Sequence, residues 1–271
     1  MEQIWIFDNG SVRSFPAARD SSGVAVASDP ASAATVVSAD NIASGVAVAS
    51  GAGVAPGTCD VLVQDSTRPD SAAQYTLPQE VYLSEGEQLA WIFLILPGAP
   101  SLPPLKVVLQ GEHADFSLNV LCLAGEKDKQ TIEIEVVHAT PNASSSQLVR
   151  CIATGDSRVN FDGRIRVMPD AQKTQAYQSS HALLLSEKAK ISTLPQLEIY
   201  ADDVKCSHGA SSGSLDENEQ FYMRSRGLTL EQARLLQLHS FAWPVLQTVQ
   251  NETVREEMVA RVDEVLTTFF V

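Results

Sequence analysis

Residues 131–168 have the sequence TIEIEVVHATPNASSSQLVRCIATGDSRVNFDGRIRVM, and this stretch decides how the rest of the chain is interpreted. Runs of β-branched and alternating apolar residues are separated by short segments rich in Pro, Asn, Gly and Asp, a pattern typical of strands joined by turns. The pattern continues from Val81 to about His208, with turn residues at intervals of about ten to fifteen positions and no amphipathic helix between them. The sequence therefore predicts a mainly β body.

Several strands of this body are predicted to be buried on both faces. Leu118–Leu123, Leu183–Leu185 and Leu89–Pro97 contain consecutive apolar residues, which favours stacked coils over a sheet with one covered face. None of these runs approaches the roughly 20 residues that a membrane helix needs. The residue pattern leaves two folds open, a β-sandwich and a parallel β-helix.

Composition narrows the classes of partner. The chain of 271 residues carries a net charge of −14, and nucleic-acid affinity depends largely on Lys and Arg, so we expect no nucleic-acid partner. We also expect no membrane partner. The start, MEQIWIF, lacks the features of a secretory signal peptide, which predicts a cytoplasmic location. The four cysteines are widely spaced and form no CxxC, which indicates free thiols.

The chain divides into three predicted regions. Residues 1–80 are rich in Ala, Val, Ser and Gly, and SGVAVAS occurs at both Ser22–Ser28 and Ser44–Ser50. Short strands suit this composition, and a loosely ordered low-complexity segment is the alternative. The β core is predicted over 81–214 and a helical domain over 215–271.

Capping signals predict three helices in the last region. Asp216 with Glu219, and Thr229 with Gln232, have the spacing of a capping box, and Asn251 is a third N-cap candidate. Pro244 is expected to end or kink the second helix. The third helix has one apolar stripe, formed by Val254, Met258, Val262, Val265 and Phe269. These helices could cap the end of the β body or present a docking surface.

One cysteine and one histidine lie two residues apart in DDVKCSHGA, residues 202–210. On a strand, Cys206 and His208 would point to the same face. There they could supply two ligands to iron or zinc, with the remaining ligands coming from a partner chain. A nucleophilic Cys–His pair is less favoured because such side chains run parallel, and ordinary packing remains a third interpretation. Asp202 and Asp203 could orient the histidine or simply form a turn.

The remaining histidines and cysteines form no comparable pattern. His138 is interpreted as a structural histidine, His181 and His239 as surface or packing residues, and His113 as part of a polar turn. Cys122 is predicted to lie in the core, while Cys59 and Cys151 belong to no group of ligands.

Two long segments resemble the SufB/SufD family of iron–sulfur cluster assembly proteins. They are FDGRIRVMPDAQKTQAYQSSHALLLSEKAKISTLPQLEIYADDVKCSHGA, residues 161–210, and LDENEQFYMRSRGL, residues 215–228. The resemblance implies a right-handed parallel β-helix body with a small C-terminal α-helical domain, and we expect the helical domain that precedes the β body in longer members to be absent. The SufB branch carries a cysteine where this chain has Ala189 and tends to carry a glutamate where it has His208. The sequence therefore resembles the SufD branch.

The resemblance also implies a function. SufD-like proteins are scaffold subunits, not enzymes, which pair with a SufB-like paralogue through their β-helices and dock a SufC-type ATPase on their C-terminal helices. His208, with Cys206 as the second candidate, would contribute to a nascent iron–sulfur cluster or iron shared with a partner subunit, and no cofactor would be bound stably by the chain alone. Leu228, Phe241 and Trp243 are the predicted ATPase contacts.

Two alternatives are kept beside this interpretation. One is a homodimeric β-helix relative with a structural role, and the other is a metal-dependent enzyme built on a β-helix. The sequence contains no GxxxxGK[ST] phosphate loop and no GxSxG nucleophile motif, so ATP or acyl chemistry by the chain itself is not expected.

Overall fold

A computed structural model describes residues 2–8, 11–16, 35–38, 58–64 and 72–270, with side chains described for 2–8 and 77–270. Both copies of SGVAVAS lie outside the described residues. The short strands predicted for residues 1–80 can therefore be compared with the structure only at the described residues.

The described chain contains fifteen strands followed by three helices. The strands are β1 (Glu2–Asp8), β2 (Ser11–Pro16), β3 (Thr35–Ser38), β4 (Thr58–Gln64), β5 (Ala72–Pro78), β6 (Glu80–Leu83), β7 (Gln88–Ile95), β8 (Leu105–Leu109), β9 (Asp115–Ala124), β10 (Lys129–His138), β11 (Ser144–Ala153), β12 (Arg158–Val167), β13 (Gln175–Leu184), β14 (Lys190–Ile199) and β15 (Lys205–Gly213). The helices are α1 (Glu217–Ser225), α2 (Leu230–Leu246) and α3 (Glu252–Thr268).

The strands form a parallel β-solenoid with two walls. From β6 onward the chain alternates between a five-stranded sheet, β14-β12-β10-β8-β6, and the parallel part of a ten-stranded sheet, β15-β13-β11-β9-β7-β1. Equivalent positions such as Asp115, Ser144, Gln175 and Lys205 are Cα partners, so each turn uses roughly 30 residues. The strands β2 to β5 continue the ten-stranded sheet beyond β1 as antiparallel neighbours. The predicted parallel β-helix is confirmed, and the β-sandwich is wrong.

Large aromatic side chains fill the space between the two walls. Trp91, Phe93, Phe116 and Phe161 are fully buried there, and the rings of Trp91 and Phe116 meet edge to face at 5.5 Å between centroids. The indole Nε1 of Trp91 donates a hydrogen bond of 2.8 Å to Gln3 Oε1. Because a buried indole N–H without an acceptor is costly, this bond fixes β1 against β7.

A second core lies between the outer face of the ten-stranded sheet and the helices. Residues that point away from the solenoid interior, such as Ile92, Leu94 and Leu121, pack with the buried faces of α2 and α3. The helical residues buried in this core are Leu238, Ala242, Val245, Leu246, Val254, Met258, Val262 and Leu266. The strands β7 and β9 are thus covered on both faces, which explains their consecutive apolar residues.

The helix ends follow the capping signals. The Asp216 carboxylate accepts from the N–H groups of Asn218 and Glu219, Thr229 and Gln232 form a reciprocal capping box, and Asn251 caps α3. The helix α2 continues only two residues beyond Pro244. The helices lie along the side of the solenoid, so the expectation that they cap its end is wrong. Within the described residues, no helix is both long and apolar enough to cross a membrane.

We predict that Gly163→Ala destabilises the solenoid by about 1–3 kcal/mol, because the interior at β12 has no room for a methyl group. A Cβ at Gly163 would lie 2.1 Å from Gln178 Nε2 and 2.5 Å from the Phe161 ring. Gly209→Ala is the control, since a Cβ there has no neighbour within 4 Å. Chemical denaturation of both variants measures the difference, and equal midpoints would contradict the prediction.

Candidate functional site

The last turn of the solenoid forms an uncovered end. Among the described residues, β14 and β15 each have a strand neighbour on one side only. Every residue of β15 except Cys206 is exposed. Inward-facing apolar residues that are deeply buried in earlier turns are only partly buried here, as Ile191, Leu197 and Val204 demonstrate. This end therefore presents free backbone hydrogen-bonding groups together with an apolar layer.

Cys206 and His208 lie on the inward-facing side of β15, as their spacing predicts. Cys206 is the Cα partner of Ala176 and His208 that of Gln178, and both of those β13 residues are buried inside the solenoid. The Cys206 side chain is half-buried against the core, and this burial raises the pKa of its thiol, with the Ala176 N–H acting in the opposite direction. Binding of a metal by Cys206 would thus require loss of a proton.

The pair could supply only part of a metal coordination sphere. Within the described part of the chain, no group of three or more His, Cys, Asp and Glu side chains is placed to hold a metal ion. Asp202 and Asp203 are exposed in the turn before β15. There the Asp203 N–H donates to Gln172 Oε1 and the Asp203 carbonyl accepts from the Lys173 N–H, which supports the interpretation of the aspartates as turn formers.

Ala189 is the residue that the sequence resemblance places where the SufB branch has a cysteine. It lies in the short turn between β13 and β14, where its N–H donates to Ser186 Oγ. Its methyl group is buried in the solenoid core. This turn offers no thiol, so Cys206 is the one thiol at the uncovered end among the described residues.

The other histidines occupy structural positions. His138 is fully buried, with Nε2 2.8 Å from Ser145 Oγ, and burial lowers its pKa to about 4. His181 lies between two serine hydroxyls on the outer face of β13, and burial followed by the charge of Arg150 lowers its pKa. His239 pairs with the Asp263 carboxylate, and His113 forms a turn with φ 59°.

Two of the other cysteines lie in the solenoid core. Cys122 and Cys151 are Cα partners on β9 and β11, and both are buried. The pKa of the Cys122 thiol is raised well above its usual range, first by its hydrogen bond with Cys151 and then by burial. The core position predicted for Cys122 is confirmed. The side chain of Cys59 lies outside the described residues.

Two glutamines beneath His208 were missed by the sequence reasoning. Gln147, Gln178 and His208 are successive Cα partners on β11, β13 and β15 and point into the solenoid. Their separation of roughly 30 residues equals one solenoid turn, and this is the signal that could have found them. It becomes visible only when the strands are aligned turn by turn.

The predicted helical contact residues differ in exposure. Trp243 is 48% exposed, and Leu228 is half-buried in the turn between α1 and α2. Phe241 is half-buried in the second core, where the guanidinium of Arg150 lies 4.9 Å from its ring centroid. Arg150 Nη1 also donates to the Phe241 carbonyl, so this residue ties α2 to β11.

Three further large apolar residues of α1 and α2 are exposed. Phe221 and Tyr222 of α1 are 74% and 59% exposed, and Leu236 of α2 is 51% exposed. A groove of about 550 Å³ runs between α1 and α2, lined by Asn218, Glu219, Tyr222, Met223, Leu236, Gln237 and Ser240. We call Phe221, Tyr222, Leu236 and Trp243 the helical surface. The adjacent aromatic residues Phe221 and Tyr222 are the feature of the sequence that could have indicated this surface.

The described residues form a β-solenoid that exposes its last turn at one end and several apolar side chains on its helices. Residues 56–241 match the family model described as SUF system FeS cluster assembly, SufBD core domain. The chain therefore belongs to the SufBD family of iron–sulfur cluster assembly proteins.

Individual relatives support the SufD branch. The chain is 33% identical over 170 residues to iron-sulfur cluster assembly protein SufD of Escherichia coli, covering 63% of this chain and 40% of that protein. It is 38% identical over 133 residues to Protein ABCI7, chloroplastic, of Arabidopsis thaliana, covering 48% and 28%. A SufBD family protein of Synechocystis is 43% identical over 109 residues, covering 40% and 24%. The chain thus spans less than half the length of each of these relatives.

Proposed function

We propose that the chain is a SufD-like scaffold subunit of a SufBCD-type complex. It pairs with a SufB-like paralogue, docks a SufC-type ATPase, and helps to assemble a nascent iron–sulfur cluster that is later passed on. The cluster is cargo, so the chain needs no resident cofactor and no turnover of its own. His208 is the leading cluster residue and Cys206 the second.

The observation that carries this proposal is the uncovered end with His208 and Cys206 on its inward-facing side. An imidazole and a thiolate are suitable ligands for ferrous iron, and two ligands leave positions open for a second chain. A partner that covers the end would bring its own ligands to the same place. The site would then exist only in the complex.

Pairing through the free edges of β14 and β15 follows from the same observation. An edge strand with free N–H and C=O groups is a template for a strand from another chain. The outward-facing residues of β15 are Lys205, Ser207, Gly209, Ser211 and Gly213, so four of the five are small and allow close approach. A SufB-like paralogue with a similar end is the proposed partner at this edge.

The helical surface is the proposed docking site for the ATPase. Its four members are large and exposed, and two of them, Tyr222 and Leu236, line the groove between α1 and α2, as interface anchors often do. Among the residues predicted from sequence, Trp243 suits this role because its side chain is half-exposed to solvent. Leu228 lies beside the groove-forming helices, while Phe241 would contribute mainly by holding α2 in position.

We predict that Trp243→Ala weakens binding of a SufC-type ATPase about tenfold, which corresponds to roughly 1.4 kcal/mol. The ring is half-exposed, so its loss should leave the fold intact. Leu194→Ala is the matched control, because Leu194 is equally exposed but lies on the outer face of β14. Calorimetric titration measures the affinity of each variant for the ATPase. Equal affinities for the two variants would contradict the assignment of Trp243 as an ATPase contact.

Co-expression with SufB-like and SufC-type partners tests the function as a whole. We expect one complex containing all three proteins, with iron and sulfide present after anaerobic purification. Mass measurement under native conditions identifies the subunits. A stable homodimer of this chain that excludes both partners would contradict the proposal and favour the structural alternative.

A further inference from the structure

A polar column leads through the solenoid interior to His208. Gln147 on β11, Gln178 on β13 and His208 on β15 are direct Cα partners, so their side chains follow one another at the spacing of neighbouring strands. The preceding partner of Gln147 on β9 is Leu118, which is buried and apolar. The column therefore begins two turns below the uncovered end and ends at it.

The two glutamines are held in place by specific contacts. Both are only 2% exposed, and Gln178 Nε2 donates a hydrogen bond of 2.9 Å to Gln147 Oε1. Gly163, on the opposite wall, leaves the space that the Gln178 amide occupies, because a Cβ at that position would lie 2.1 Å from Nε2. Burial, the hydrogen bond to Gln147 and the space left by Gly163 together fix the position of the Gln178 side chain.

The column retains an unused acceptor on Gln178, the Cα partner of His208. Within the described residues, two buried amide atoms of the column have no hydrogen-bond partner, Gln178 Oε1 and, one turn further from the uncovered end, Gln147 Nε2. Burying an amide oxygen without a donor costs free energy, so such an atom suggests a partner that is supplied in the working state. The next polar residue from Gln178 toward the uncovered end is its Cα partner His208, whose ring carries one N–H when neutral.

We propose that Gln178 is a positioning residue for His208, with its amide oxygen accepting the hydrogen bond from one imidazole N–H. This inference rests on the proposed role of His208 in cluster assembly. The bond fixes the tautomer of the ring, so that the other nitrogen presents its lone pair at the uncovered end. Histidines that bind metals commonly donate their second ring N–H to an oxygen in this way.

The test compares Gln178→Met with Gln147→Met. Methionine has nearly the length of glutamine, and each variant removes the same amide–amide hydrogen bond. Only Gln178→Met also removes the amide oxygen of the Cα partner of His208. Thermal unfolding of both variants checks that the solenoid remains folded.

The first readout is the tautomer of His208, measured from its imidazole ¹⁵N shifts in the full chain, alone and bound to its partners. His208→Ala identifies the signals. We expect one dominant tautomer in the unsubstituted chain and in Gln147→Met, and a mixture in Gln178→Met. The proposal is overturned if Gln178→Met leaves the tautomer ratio unchanged in both states, or if Gln147→Met alters it as much.

The second readout is the iron affinity of the anaerobic complex, measured by titration with ferrous iron. We expect Gln178→Met to lower it about tenfold relative to Gln147→Met, the size typical of lost partners of metal ligands. The two readouts distinguish the positioning role of Gln178 from the proposed role of His208 in cluster assembly. If His208→Ala leaves iron binding intact while Gln178→Met still mixes the tautomers, the proposed function fails and the positioning role stands.

Discussion

Replacement of His208 by alanine should reduce the iron and sulfide of the assembled complex at least tenfold while its subunits remain together. The side chain is exposed at the uncovered end, and the described residues give it no hydrogen bond that the fold would lose. The described part of the chain has no other histidine on β15. Loss of one ligand from a shared site leaves too few groups to retain iron.

The measurement is anaerobic iron and sulfide analysis of the purified complex containing the chain and both partners. His181→Ala is the matched control, because His181 lies on the adjacent strand but on the outer face of the sheet. Cys206→Ser, measured in parallel, reports whether the thiol is a second ligand. Unchanged iron in His208→Ala would make His208 a structural residue, and the chain would then serve only to hold its partners.

The β body could be predicted from the sequence, but its winding could not be derived from periodicity. Alternation along 131–168 is the same in a sandwich and in a solenoid, since in both each strand has an inner and an outer face. What separates them is the pairing of residues such as Ser144 with Gln175, one turn later. The family resemblance supplied that distinction before the structure did.

The consecutive apolar runs predicted burial on both faces but not what provides the second cover. Ile92 and Leu94 point outward from the solenoid, where α2 and α3 cover them. The apolar stripe of α3 indicates that the helix packs on something, and an isolated stripe does not identify its partner. End-capping and side-packing were therefore equally compatible with the sequence.

In the candidate site too, local sequence spacing predicted some features, while others depend on long-range strand register. That Cys206 and His208 share a face follows from strand geometry at a separation of two residues, and the structure confirms it. That Gln178 lies beside His208 depends on solenoid register. Phe241 illustrates a further limit: an aromatic residue in a helix has the same appearance in sequence whether it anchors a partner or, as here, packs beneath Arg150.

Ala210→Pro should weaken pairing with a SufB-like paralogue roughly 100-fold, or about 3 kcal/mol, without unfolding the chain. The Lys205 N–H donates to the Thr174 carbonyl of the preceding turn, so alternate residues of β15 direct their N–H groups toward β13. The N–H of Ala210 accordingly points to the free edge. Proline is tolerated at such edge positions because it removes no bond within the sheet.

In the complex, however, the proline ring would occupy the space of the added strand and would remove one of its hydrogen bonds. Ala210→Ser is the matched control, since it keeps the N–H and adds one hydroxyl at an exposed position. Titration of the paralogue into each variant gives the two affinities. If proline and serine pair equally well, the partner does not extend the sheet at β15, and cluster sharing at His208 would require contact by side chains alone.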